Sequence, residues 1–152
     1  MLDSPLVCFF DGLCEPNPLG VMCGGWTIVG NAVVPPADGG AYFGKGFEAS
    51  NNRAEYQAAL AVLRVVYKAG WRGPVLLRGD SQLICRQYSG QYACNASALQ
   101  PLLAKLRTAA GCFASLTLEW IPRAENEAAD EQSRLAYKEV TGKWPPERRK
   151  SA

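Results

Sequence analysis

The sequence predicts an α/β fold built on a mixed sheet with helices on its faces, and three observations carry that prediction. Residues 5–48 hold apolar runs rich in Val, Phe and Ile, broken by Gly, Pro and Asn, the pattern of short antiparallel strands. From Asn52 the apolar residues fall at helical spacing instead, and this stretch stops at Gly70. Beyond Gly70 short apolar strands alternate with helical stretches, as in a sheet with crossover helices. With 152 residues, 48% of them hydrophobic, the chain has the apolar supply for one core.

Taken in order, "PLVCFFDGL" reads as the first strand and "EPNPLG" as a turn-forming break. "GGWTIVG" and "NAVVPP" read as strands separated by Gly30-Asn31, and "AYFGKGFE" as a further strand or the continuation of the second hairpin arm. A long helix follows over Asn52 to Ala69. "PVLLRG" is then a short apolar strand, "DSQLICRQY" a short helix, "ALQPLLAKLRTAAG" a second long helix, "SLTLEWI" a strand and "NEAADEQSRLAYKE" a third long helix. Sheets of this kind place sites at the carboxyl ends of their parallel strands. Residues 1–140 therefore read as the folded domain, and 141–152 as a basic, mobile C-terminal tail.

Composition excludes several chemistries. The chain contains no histidine, and none of its six cysteines has C-x-x-C spacing, so zinc sites and Ser-His or Cys-His nucleophiles lack their usual residues. The N-terminus has no export-signal pattern, so the thiols are expected to stay reduced and the protein to be cytoplasmic. No apolar stretch approaches the roughly 18–20 residues that a membrane span needs, so no membrane partner is expected. Net charge is only +2; residues 141–152 carry +3 and leave −1 on residues 1–140. A polyanion would have to be met by local patches or bound cations.

Four carboxylates stand out, each beside a plainer reading. Asp11 follows Val7, Cys8, Phe9 and Phe10, a run without polar alternation that suggests cover on both faces, where an unpaired charge costs several kcal/mol. The plainer reading satisfies it with amides of a turn at Gly12. Glu55 fits a capping box, "NRAE", with Asn52 as N-cap, yet helical spacing puts it on the apolar face with Ala58, Ala59, Val62 and Val66. Asp80 is an obvious N-cap for the short helix, and it also directly follows a strand's carboxyl end. Asp130 is explained by an ion pair with Arg134 one turn on, although it shares a face with Asn126 among alanines. Together the four are hard oxygen donors suited to magnesium or manganese. Paired ions about 3.5–4 Å apart recur in phosphodiester hydrolysis.

In order and spacing, "FFDGLCEPNPLG…GGW", "NNRAEYQA", "GDSQL" and "WIPRAENEAADEQSR" resemble the motifs of type 1 ribonuclease H over about residues 5–140. The resemblance implies a ribonuclease H-like fold, a five-stranded mixed sheet with three antiparallel strands then two parallel ones. It implies an endonuclease that hydrolyses the RNA strand of an RNA/DNA hybrid, giving 5′-phosphate and 3′-hydroxyl ends; a monomer is expected. Asp11, Glu55, Asp80 and Asp130 would be catalytic and would hold two Mg2+ ions, with Mn2+ as a substitute. In that reading Asp11 and Asp80 contact the ions most closely, Glu55 completes one shell and meets the ribose, and Asp130 closes the other. The charge of the ions would compensate Asp11.

Asn17, Asn51, Asn52 and Gln82 match positions that in the family contact the minor groove and its 2′-hydroxyls, and Ser50 matches a position that binds a DNA-strand phosphate. Turn and cap chemistry alone accounts for the residue type at Asn17 and Asn52. Two departures stand out. The loop before the last helix, "IPRAEN", has no histidine, and Arg123 is its only cation, a guanidinium expected to contact phosphate. Between Gly90 and Ala96 the chain is too short for the basic helix that many members use as a binding handle. Hybrid binding would then be weaker or use other groups, such as the basic tail or stacking on Tyr88, Tyr92 or Trp144. A nucleic-acid-binding module without turnover, and a nuclease of the same fold that prefers duplex RNA, are the alternatives.

Overall fold

The computed structural model describes residues 4–147. Arg148, Arg149 and Lys150, three of the four cations of the basic tail, lie outside the described residues. A five-stranded sheet forms from β1 (Leu6–Glu15), β2 (Val21–Ile28), β3 (Ala37–Lys45), β4 (Val75–Gly79) and β5 (Leu116–Trp120). Its order is β3-β2-β1-β4-β5; β1, β2 and β3 pair antiparallel, whereas β4 joins β1 and β5 joins β4 in parallel. The helices are α1 (Asn51–Lys68), α2 (Gln82–Ser89), α3 (Gln100–Ala110) and α4 (Glu127–Thr141), with a short 3-10 turn at Arg123–Glu125. This is the mixed five-stranded sheet that the motifs imply.

Side chains alternate across a strand, and two neighbouring glycines show which helix covers which face. A Cβ on Gly24 would meet Ala58 of α1 at 2.8 Å, and one on Gly25 would meet the Ser133 nitrogen of α4 at 2.2 Å. Helices α1 and α4 therefore cover opposite faces. Leu6, Cys8 and Phe10 point to the α1 side, where with Val62, Val66, Leu77 and Leu106 they form the main core. Val7 and Phe9 point the other way and are only half-buried. Cover on both faces, expected over Val7–Phe10, begins at Phe10, because α4 reaches only the distal half of β1.

Three local expectations are corrected. Residues 31–36, "NAVVPP", are a loop and not a strand. Asn31 Oδ1 accepts from the amides of Val33 and Val34 at 2.8 Å, and Pro35 and Pro36 have no N–H to give a ladder. The N-cap of α1 is Ser50, whose Oγ accepts from Arg53 N, so Asn52 lies inside the helix. The N-cap of α2 is Ser81, accepting from Ile84 N, and not Asp80. In both cases a serine within two residues of the favoured residue takes the cap and leaves that polar residue for other work.

All six cysteines are free thiols. Burial pushes Cys8 up to about 12 and Cys23 to about 11. With a thiol-specific reagent at neutral pH, exposed Cys112 should react first and half-buried Cys94 next, while Cys8, Cys14, Cys23 and Cys85 wait for denaturant. Labelling of Cys8 or Cys23 in the native protein would contradict this packing.

Candidate active site

The parallel pairing of β1 with β4 ends at Phe10 and Gly79, so Asp11 and Asp80 are the next residues along adjacent strands. That register sets two carboxylates side by side at the carboxyl end of β4, where β1 leaves β4 and runs on toward Glu15 paired with β2. Helix α1 supplies the third. A Cβ on Gly12 would meet Glu55 N at 2.4 Å, so the bare glycine lets the first turns of α1 close onto β1. Glu55 Oε2 then accepts from Gly12 N at 3.0 Å. This sets aside the plainer readings, a capping box at Glu55 and a turn at Gly12, which lies within β1.

Carboxylate oxygens of Asp11, Glu55 and Asp80 lie within 4.8 Å of one another. Asp11 is fully buried, Glu55 is 7% exposed and Asp80 is half-buried. Three like charges so close and so poorly hydrated repel strongly, and a divalent cation among them would offset that repulsion. The donor set, all carboxylate oxygen, fits magnesium or manganese. The thiol of Cys85 registers the same field: burial first, then the charges of Glu55 and Asp80, pushes it up to about 11.

Asp130 is not in that trio. It sits in the first turn of α4, half-buried, on the face it shares with Asn126 and Ser133 by the i, i+3 and i+4 rule. Both neighbours reach the trio. Buried Asn126 donates through Nδ2 to the Phe10 carbonyl at 2.9 Å and to Asp80 Oδ2 at 3.4 Å. The hydroxyl of buried Ser133 lies 3.1 Å from Asp11 Oδ2 and 2.7 Å from the Asp130 carbonyl, two acceptors for one proton. Trp120 Nε1 donates to the Asp80 carbonyl at 3.3 Å and holds that backbone from the β5 side. Each carboxylate of the trio thus has at least one oxygen within hydrogen-bond reach of a protein donor.

A cleft of about 390 Å³ opens at Glu55 and Asp80 and is lined also by Asn17, Asn51, Asn52 and Arg123, whereas Asp11 and Asp130 are not among its lining residues. Asn51 Oδ1 accepts from Cys14 N at 2.8 Å, and Asn17 Oδ1 accepts from Asn51 N at 3.0 Å. Ser50 and Gln82 are not among the cleft residues; Ser50 serves as a cap, and Gln82 is exposed at the first position of α2. Of the aromatic candidates, Tyr88 is tied into the fold by its hydroxyl bond to the Leu116 carbonyl, whereas Tyr92 and Trp144 are exposed. Sequence reading missed Ser81, Ser133 and Pro145–Pro146 as residues around the acids. Ser133 had a usable signal, since it continues the helical face of Asn126 and Asp130.

The model of the family described as "Reverse transcriptase-like" matches residues 36–136. The chain belongs to that family. The ribonuclease HI of Halobacterium salinarum is 35% identical over 122 residues, which is 80% of this chain and 59% of that protein, so the chain spans under two thirds of that relative. A crystal structure of RNase H1 from the same archaeon superposes with a TM-score of 0.80 at 31% identity, covering 90% of this chain and 99% of that one. LC11-RNase H1, solved in complex with an RNA/DNA hybrid, gives 0.78 at 27% identity, covering 89% and 98%. The ribonuclease H resemblance of the motifs therefore holds through both sequence and fold.

Proposed function

We propose that this ribonuclease H domain is a divalent-metal-dependent endonuclease that cuts the RNA strand of RNA/DNA hybrids, leaving 5′-phosphate and 3′-hydroxyl ends. The observation that carries the reading is the Asp11–Glu55–Asp80 oxygen cluster at the end of β4, opening into a cleft lined by three asparagines. A hybrid held in complex by LC11-RNase H1, which shares the fold, supports the substrate.

Asp11, Glu55 and Asp80 would hold magnesium, or manganese in its place, with Asp130 approaching from α4. When bound, such ions supply Lewis-acid chemistry: activation of water and charge stabilisation at the phosphate and the departing 3′ oxygen. The chain's own work is orientation. Asn126 and Ser133 hold Asp80 and Asp11, and Gly12 N holds Glu55, so the acids are set before substrate arrives. With their carbonyl oxygens engaged by backbone amides, Asn17 and Asn51 offer their NH2 groups to substrate. Donors there suit the acceptors of a minor groove and the oxygen of a 2′-hydroxyl. Asn52 lines the same wall, while Ser50 and Gln82 would touch a substrate only beyond the cleft.

Arg123, half-buried on the cleft wall, is positioned to neutralise phosphate. Arg123→Ala should lower kcat/KM about tenfold to a hundredfold, the worth of one charge-assisted hydrogen bond. A value within twofold of the parent would remove Arg123 from the reaction. The reading as a whole is tested by offering the protein hybrid, duplex RNA and duplex DNA with magnesium. Cutting confined to the RNA strand of the hybrid is expected; preferential cutting of duplex RNA would assign the other substrate, and binding without cutting would mark a module without turnover.

A further inference from the structure

A groove of about 450 Å³ lies between α1 and α3. Its floor is apolar: Leu60, Leu63 and Tyr67 of α1 meet Ala109 of α3 and Phe113 beyond it. Leu60, Leu63 and Tyr67 repeat at helical spacing, a stripe that normally packs on another element, yet Tyr67 is 44% exposed. Tyr67 stands about 18 Å along α1 from Glu55 at 1.5 Å per residue, and the groove shares no lining residue with the carboxylate cleft.

Both charged residues that line the groove are cations. Arg64 stands on the α1 wall and Lys105 on the α3 wall, and each is exposed. Arg72 adds its guanidinium, 3.4 Å from the Tyr67 ring centroid, and Lys68 follows that tyrosine in α1. Their own helices do not neutralise them, because α1 beyond Glu55 and all of α3 hold no acid. Residues 56–118 carry seven cations against one acid, Asp80, whereas residues 1–140 as a whole sum to −1. The positive charge is therefore concentrated in this part of the chain.

That combination selects a partner. A second copy of the chain would bring the same positive rim, and like charges oppose such a pairing. Nucleic acid would meet the cations but leave the aliphatic floor uncovered, and the Tyr67 ring that could stack on a base is already engaged by Arg72. We infer that the α1–α3 groove docks a short acidic, amphipathic peptide segment of a partner protein. Its apolar side chains cover the floor between Leu63 and Phe113, and its carboxylates pair with Arg64 and Lys105. From Leu60 to Tyr67 the groove runs about 10 Å, two helical turns, so the contact is small and its Kd on the order of 10–100 μM. The inference is independent of the hybrid-cleaving reading.

The test titrates the full chain into a fluorescent peptide of about twelve residues, alternating pairs of Asp and Leu, and into a twin with Lys at every Asp. The acidic peptide should bind and the basic twin should not. Arg64→Glu with Lys105→Glu should weaken binding about tenfold or more. Lys45→Glu with Lys143→Glu changes the net charge equally but away from the groove, and should stay within about twofold of the parent. On the parent itself, peptide at about four times its Kd should slow thiol labelling of Cys112, which lines the groove, about fivefold and leave Cys94 unchanged. Failure of the acidic peptide to bind, equal weakening by the two charge-reversed pairs, or an unprotected Cys112 would each overturn the inference. So would a single-stranded oligonucleotide that displaces the peptide and protects Cys112 more strongly, since the groove would then be a nucleic-acid surface.

Discussion

Asp11→Asn should melt several degrees higher than the parent in EDTA and yet lose cleavage by about a thousandfold or more. Both effects come from the same geometry. Asp11 is fully buried with its oxygens within 4.8 Å of those of Glu55 and Asp80, so removing one of three like charges relieves repulsion in the metal-free protein. The relief is on the order of 1–2 kcal/mol, or roughly 2–8 °C for a chain of this size. The asparagine keeps the shape and still offers an oxygen to Ser133 Oγ, so packing is preserved. Loss of the carboxylate removes charge where a divalent ion would bind, worth several kcal/mol at the reacting phosphate, hence the rate loss. Magnesium should raise the melting temperature of the parent and do so much less for the variant, since a ligand stabilises only the state that binds it. A variant that melts lower in EDTA, or keeps the full magnesium shift, would show that Asp11 is a structural residue.

Gly25→Ala should be the most damaging small substitution among the residues that frame the site. Gly25 pairs with Asp11 across β1 and β2, and its missing side chain is where α4 docks. A Cβ there would lie 2.2 Å from the Ser133 nitrogen and 2.5 Å from the Ala129 carbonyl oxygen, both rigid helix backbone. The helix must move, at a cost of about 3 kcal/mol or more, or roughly 6–12 °C in melting temperature. The displaced helix carries Ser133, Asn126 and Asp130 with it, so cleavage should fall well below the parent even at temperatures where the variant is folded. Gly111→Ala is the control. Its φ of −67° suits any residue and its added Cβ meets only the Thr108 carbonyl oxygen at 3.3 Å, so it should change stability by less than about 1 kcal/mol. Equal melting of the two variants would contradict the close docking of α4.

The residues that are legible in the sequence are those whose role depends on periodicity or on position relative to a strand end. Glu55 stands out by facing the apolar side of its helix, and Asp80 by following "VLLRG"; both are in the cluster. The alternation of helix and strand after Gly70 likewise yields the parallel pair β4 and β5 beside β1. Features decided by competition between neighbours are not legible. Ser50 and Asn52, or Ser81 and Asp80, are equally good caps by type, and only tertiary docking, which draws Asp80 to Asn126, decides which serves. Residues 31–36 have strand-forming valines, but the Asn31 side chain takes the amides a ladder would need. The segment at Pro145–Pro146 has no period at all, and its place on the cleft wall follows from two hydrogen bonds to Arg134.

The most direct test of the central claim, that the carboxylate cluster holds divalent ions for hydrolysis of RNA in a hybrid, is a single-turnover assay. It would use a hybrid whose RNA strand carries a 5′ label, with magnesium or EDTA, for the parent and Asp11→Asn. The account predicts internal cuts in the RNA strand that end in 3′-hydroxyl, appear only with magnesium and vanish in the variant. Cutting that persists in EDTA, or in Asp11→Asn with magnesium, would contradict it.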